Sequence, residues 1–502
     1  MMTTMWGIDV FVEGEYDFVE KYRKAFPSCD FAINSKPNSI YISGDYDPKE
    51  ILYKTGILGE HIYWIIGKEK INIYRIQKLQ EVQKLFFDKK EWKTVRLINK
   101  IIKEVEIYQK VTEVHYYPTK LQIEHSTICN AKCIMCTHYF TNNYKRGFIE
   151  DEVIENLIPI FPFVEKILLH GVGEALLHPN IQIYLKLYVK YDIEVSCVTN
   201  MSFMSKELAQ LLGATFKTIT ISCDGASKET FENIRRGISF EKFCNNVRLL
   251  HSQRPDLELR FNVVCMKQNI EEMPEIITLA SNLGVKAVGI SDLIAQKILD
   301  NHDDEIKNYP TVALVYLKRA IERAQELGIR LLQIPDYVFD LRSDKTFDEE
   351  LEAMRDIPFY HSLEFQKNLY ERYIKLDMVK PTQIADLQNY AIESQYSCKG
   401  ICDYFVGSPF IGVTGEVTTC CIDGIHIMGN LKECSFLDIW NSKVYQRMRA
   451  LFYQGTIPKY CVGCMFLKNH TKIERLTIRE QNEKFLEHNF SELIDKSDAE
   501  KL

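Results

Sequence analysis

An α/β fold with a partial (β/α)6 TIM-like barrel over residues 116–335 is what the sequence predicts, and three observations carry the prediction. Short apolar runs rich in β-branched residues alternate with stretches of helical periodicity, the pattern of parallel strands joined by crossover helices. Polar turns separate the runs, so each strand and helix has room to reverse direction. About six such units fit in the span, too few to close an eight-fold barrel. With 502 residues and 46% hydrophobic content, the chain has length for two or three domains.

Taken in order, residues 1–115 carry the apolar stretches SIYISG and HIYWIIG and then the charged helical run IQKLQEVQKLFFDKKEWKTVRLINKIIKEVEIYQK. They read as a small α/β or α+β domain whose role no motif reveals. In the barrel, strands are expected at 121–124, 166–169, 194–198, 218–222, 259–264, 287–290 and 330–333. Helices are expected at 151–160, 181–191, 205–212, 240–250, 273–283 and 312–327. Residues 336–397 read as a helical bridge, 398–470 as a cysteine-bearing domain, and 471–502 as a charged helical tail.

Composition excludes several classes. Lys and Arg number 62 against 69 Asp and Glu, a net charge of −7 with the basic residues dispersed, which argues against a nucleic-acid partner. No run reaches the about 18 apolar residues of a membrane span. The first residues, MMTTMWGIDVFVEGEYD, lack a basic region followed by an apolar stretch, so a cytoplasmic location is expected. Fifteen cysteines, grouped in short-spaced clusters, suit reduced thiols holding metal better than a disulfide framework.

Cys129, Cys133 and Cys136 form a C-x3-C-x2-C triplet in STICNAKCIMCTHY. Four thiolates close a 4Fe-4S cluster, whereas three leave one iron open to bind a small molecule. A zinc site or three core cysteines is the alternative. The triplet resembles the signature of the radical S-adenosylmethionine (SAM) enzymes, and later motifs extend the resemblance. In LLHGVGEALLHP, Gly171, Gly173 and Glu174 match the family motif that holds the SAM amino group, with Val172 in place of a glycine and Ala175 in place of proline. Thr199 and Asn200 resemble a Thr-Asn-Gly turn, with Met201 where glycine is usual. ISCDGASKETFENIRRG resembles the Ser-x-Asp-Gly stretch, which implies Ser222 and Asp224 near the adenosyl group and Arg235 near the SAM carboxylate. All three follow strands at their C-terminal ends, where loops of such barrels converge.

A second group reads Cys402, twelve residues, Gly415, four residues, Cys420, and later Cys461-x2-Cys464. It resembles the opening of SPASM and Twitch auxiliary-cluster domains. No cysteine follows Cys464, so the shortened form is implied, with one 4Fe-4S cluster on Cys402, Cys420, Cys461 and Cys464 and no open iron. A four-cysteine zinc knuckle is the alternative, and Cys398 and Cys421 are near enough to replace a ligand. Cys29, Cys197, Cys223, Cys244, Cys265 and Cys434 are scattered singly and read as core residues.

The resemblance implies reductive cleavage of SAM to a 5'-deoxyadenosyl radical that takes hydrogen from a substrate carbon. It also implies an auxiliary cluster that receives the remaining electron. The implied cofactors are SAM, a SAM-binding 4Fe-4S cluster and a second, auxiliary 4Fe-4S cluster. Implied partners are a peptide or a small polyol-like substrate and an electron donor such as flavodoxin or ferredoxin, with neither nucleic acid nor membrane. An iron-sulfur protein without turnover is the alternative from another class. For methyl transfer the sequence offers no carrier cysteine motif or cobalamin domain.

Overall fold

The computed structural model describes residues 76–136, 138, 147–295, 299, 301–356, 402–420, 427–458 and 461, with the backbone of strands at 8–13, 31–33, 39–44, 62–66, 69–72 and 393–397. Cys29, Cys398, Cys421, Cys464 and the expected tail at 471–502 lie outside the described residues.

β1 (Ile8–Glu13), β2 (Phe31–Ile33), β3 (Ser39–Gly44), β4 (Ile62–Ile66) and β5 (Glu69–Asn72) form one sheet in the order β2-β3-β1-β4-β5. Every pairing in it is antiparallel, so none of these strands is joined to a paired neighbour as a βαβ crossover. The charged run that follows forms two helices, Ile76–Asp88 and Trp92–Tyr108. Lys90 breaks it with φ of 60°, in the left-handed region. The second helix docks on the barrel through Arg96, which donates to the carbonyls of Tyr191 and Asp192. Asn99 adds a reciprocal pair of 2.9 Å bonds with the backbone of Tyr117.

The barrel strands are β6 (Lys120–Ile123), β7 (Lys166–Leu169), β8 (Glu194–Thr199), β9 (Phe216–Ser222), β10 (Glu258–Cys265), β11 (Ala287–Asp292) and β12 (Arg330–Gln333). All are parallel to their neighbours, and the sheet stays open rather than closing on itself. Alternation is plain in β10, where Leu259, Phe261, Val263 and Cys265 are buried and the residues between them half-buried. The buried set faces the surrounding helices; the other set lines the inner face. Helices occur at Asp151–Leu157, Ile181–Lys190, Lys206–Thr215, Phe240–Gln253, Met273–Asn282 and Pro310–Leu327, with a short extra one at Lys228–Ile234. No described helix is long and apolar enough to cross a membrane.

The expected helical bridge is mixed. It holds the helix Phe347–Asp356 but ends in a strand, β13 (Glu393–Ser397), which pairs antiparallel with β17 (Thr456–Pro458). Between these two lie β14 (Phe410–Ile411), β15 (Glu416–Thr418) and β16 (Ile427–Asn430). β14 pairs in parallel with β6, so the C-terminal hairpin continues the barrel sheet beyond its first strand. Arg449 of the helix Lys443–Tyr453 fixes the join. Its guanidinium lies 4.6 Å from the Trp440 ring centroid and donates to the carbonyls of Phe405 and Thr112 at 3.3 and 3.0 Å.

Candidate functional site

The cysteine loop leaves the C-terminal end of β6, and two backbone segments grip it. Glu174 N–H donates to Ile128 O at 2.9 Å, and Lys132 and Ile134 N–H donate to Arg236 and Ile234 O at 2.7 and 3.0 Å. Gly173 is required here, because a β-carbon on it would overlap the backbone of Ser126 and Thr127. A β-carbon on Gly171 would overlap the Glu124 carboxylate. Both glycines of the predicted motif therefore serve a close approach to the chain's own first strand.

The departures from the family pattern have local explanations. Val172 lies outside the left-handed region, so glycine is not needed there. Ala175 opens a short 3-10 helix, Ala175–Leu177, at the first position, where proline is favoured but no bond depends on it. Met201 does take a left-handed φ of 54°, and its wholly buried side chain offsets that strain by packing.

Glu174 is buried at 4% exposure. Its Oε1 accepts from the Thr199 hydroxyl at 2.8 Å and Leu176 N–H at 3.2 Å, and its Oε2 from Asn200 N–H at 2.6 Å. A carboxylate has about four lone-pair positions, so these three leave one for a further donor. Burial raises its pKa, while these donors, with Arg235 at longer range, oppose the shift.

Asn200 reaches the cysteine loop from its amide nitrogen, 3.7 Å from Cys129 Sγ and 3.1 Å from Asn130 Oδ1. On the opposite side, Arg235 places one terminal nitrogen 3.8 Å from Cys133 Sγ and its Nε 2.6 Å from Asp224 Oδ2. Asp224 Oδ1 accepts Val264 N–H at 2.7 Å. Both oxygens of Asp224 are thus engaged, so this residue acts by orienting Arg235. Ser222 ends β9, paired with Asn262.

The triplet fits an iron-sulfur cluster. Burial pushes the thiols of Cys129 and Cys136 up and that of Cys133 up to about 12; Arg235 pulls Cys133 and Cys136 back toward the thiolate. Two N–H donors, from Asn200 and Arg235, already point at sulfur, as the hydrogen-bond donors around cluster thiolates do. Among the described residues no three His, Cys, Asp or Glu side chains converge on a single ion. Cluster thiolates stand on separate irons and need no such convergence.

The later cysteines lie on the C-terminal domain. Cys402 caps the helix Asp403–Gly407, Cys420 follows β15 with its carbonyl bonded by the Thr418 hydroxyl at 3.0 Å, and Cys461 follows β17. Cys197, Cys223, Cys244 and Cys265 are buried as expected, whereas Cys434 is exposed on the turn after β16.

Sequence reasoning missed Glu124, whose carboxylate accepts Val172 N–H at 2.7 Å. Its signal was a lone carboxylate closing the apolar run LQI, at an inward position five residues before Cys129.

Residues 123–280 match the radical SAM superfamily, and residues 402–465 match an iron-sulfur cluster-binding domain, SPASM. The AdoMet-dependent heme synthase of Methanosarcina barkeri is 22% identical over 347 residues, 67% of this chain and 88% of that protein. The tungsten-containing aldehyde ferredoxin oxidoreductase cofactor-modifying protein of Pyrococcus furiosus is 24% identical over 365 residues, covering 68% and 86%. Among solved structures, Streptococcus suis SuiB bound to S-adenosylmethionine aligns with a TM-score of 0.48 at 13% identity, over 77% of this chain and 87% of that one. The chain thus carries a radical SAM domain over residues 123–280 and a SPASM domain over residues 402–465, which imply SAM, a 4Fe-4S cluster and auxiliary iron-sulfur.

Proposed function

We propose that this chain is a radical SAM oxidoreductase in which Cys129, Cys133 and Cys136 hold the SAM-binding cluster and Cys402, Cys420, Cys461 and Cys464 hold one auxiliary cluster. The observation that carries the reading is the placement of Glu174, Asn200 and Arg235 around the cysteine triplet, each held by its own hydrogen bonds or ion pair. When bound, these groups supply a 5'-deoxyadenosyl radical that takes hydrogen from the substrate and an acceptor for the electron left behind, a net oxidation.

The protein's own residues bind and orient. Glu174 offers its remaining lone pair to the SAM ammonium, and Arg235, with its guanidinium fixed by Asp224, faces the SAM carboxylate. Ser222 stands at the strand end for the adenosyl group. The half-buried positions of the strands carry the uncharged Ser196, Thr218, Thr220 and Asn262, with the ion pairs Lys166–Glu194 and Arg260–Glu258 nearer the N-terminal ends. Such a lining suits a substrate rich in hydroxyls or amides, either a peptide or a small polyol-like molecule.

The test is deuterium transfer. Anaerobically reconstituted protein, reduced by dithionite or flavodoxin, is given SAM with perdeuterated candidate peptides and aminocyclitols. Deuterium in 5'-deoxyadenosine identifies the substrate class. Cleavage that never takes deuterium from any candidate of either class contradicts the substrate assignment.

A further inference from the structure

Glu124 stands at the junction of three parts of the molecule. Its backbone N–H donates to Ile411 O at 2.9 Å, where the C-terminal hairpin joins β6. Its side chain, at 6% residue exposure, lies against Gly171 and accepts Val172 N–H at 2.7 Å through Oε1. Among the described residues no hydrogen bond reaches its Oε2. The turn it holds contains two glycines, so its conformation depends on contacts with its surroundings, among them the Gln122 amide, which donates to the His170 carbonyl at 3.4 Å. Glu124 provides one of them, and the 2.9 Å bond from Glu174 N–H to Ile128 O provides another.

We propose that Glu124 is a positioning residue for SAM: by holding Val172 N–H and filling the space over Gly171, its carboxylate fixes the turn that presents Glu174. The proposal rests on the radical SAM reading above and adds to it a residue outside the SAM motifs.

A consequence is pH dependence. Burial pushes the Glu124 carboxyl up to about 7; the Val172 N–H opposes the shift and Glu416 on the facing β15 adds to it. Glu416 is itself held by the Thr414 backbone N–H at 3.2 Å and by the Thr414 hydroxyl. In the same turn, burial lowers the pKa of His170, which keeps the ring neutral, and raises that of Glu174. As pH falls through about 7, Glu124 takes a proton. Its charge-assisted bond to Val172 then weakens to a neutral one, and the turn loosens.

The experiment measures SAM affinity of the reconstituted full chain by equilibrium titration at pH 6, 7 and 8, for wild type, Glu124→Gln and Glu124→Ala, with iron content checked in each. Wild type is expected to bind SAM more weakly at pH 6 than at pH 8, and Glu124→Gln to lose that part of the dependence, because its amide accepts the same N–H without titrating. Glu124→Ala is expected to bind about tenfold more weakly at pH 8, the effect of losing a hydrogen bond to a charged acceptor. If Glu124→Ala does not fold, the Glu124→Gln profile decides alone. A Glu124→Gln profile that follows wild type at every pH overturns the role of Glu124. Wild type that carries iron yet binds no SAM overturns the radical SAM reading itself.

Discussion

Nε of Arg235 lies 2.6 Å from Oδ2 of Asp224, in an ion pair whose side chains are 9% and 0% exposed. Because Arg235 also reaches Cys133 Sγ, Asp224 determines how the guanidinium meets the cluster site. Asp224→Asn leaves a buried charge without its partner and is expected to cost about 3 kcal/mol or more of stability. Arg235→Ala is expected to weaken SAM binding roughly ten- to hundredfold, about 1.5 to 3 kcal/mol, while the first cluster stays loaded. Thermal unfolding and anaerobic SAM titration check the two; unchanged SAM affinity in Arg235→Ala contradicts its place at the SAM carboxylate.

Met201→Gly tests the balance between strain and packing. Glycine relieves about 1 to 2 kcal/mol of left-handed strain, but removing a wholly buried methionine side chain costs about 2 to 5 kcal/mol. A net loss of up to about 4 kcal/mol is expected, read as a lower Tm. A higher Tm would show that strain dominates at this turn.

Glu124→Gln tests the buried carboxyl through stability. Its folded pKa of about 7 exceeds the ordinary 4.5, so its contribution to stability is full below pH 4.5 and is lost as pH rises through 7. The variant should gain on wild type between pH 5 and pH 8, by at most about 3 kcal/mol. Unfolding by denaturant at both values checks this, and a constant difference contradicts it.

The legible parts of the fold were those in which one local pattern decides. The seven barrel strands follow from β-branched runs that must be buried, and the helices from their apolar faces. β13 was hidden because ESQYS is polar and has no apolar alternation. The short helix Lys228–Ile234, sequence KETFENI, was hidden among charged residues that resemble a loop. The union of β14 with β6 joins Phe410 to Gln122 across nearly the whole barrel sequence, and nothing local to either strand encodes it. At the site, the glycines and Glu174 were legible as motif residues. What they touch was not: Gly171 packs against Glu124, and only the register of β6 with β7 brings that carboxylate to the turn.

Cys461→Ala with Cys464→Ala tests the auxiliary cluster. Wild type is expected to hold about eight irons and the double variant about four. The variant should still cleave SAM, since the first cysteine set is untouched, while oxidised product falls much further than cleavage does. Zinc bound in place of the second set of irons contradicts the assignment, and normal product yield in the variant contradicts the electron-acceptor role.

The central claim is that Cys129, Cys133 and Cys136 hold the cluster that cleaves SAM, and its most direct measurement is 5'-deoxyadenosine formed by the reduced, reconstituted chain. Wild type is predicted to form it, and the variant with all three cysteines changed to alanine to form none while keeping about four irons. Equal 5'-deoxyadenosine from the triple variant, or none from a wild type carrying both clusters, would contradict the account.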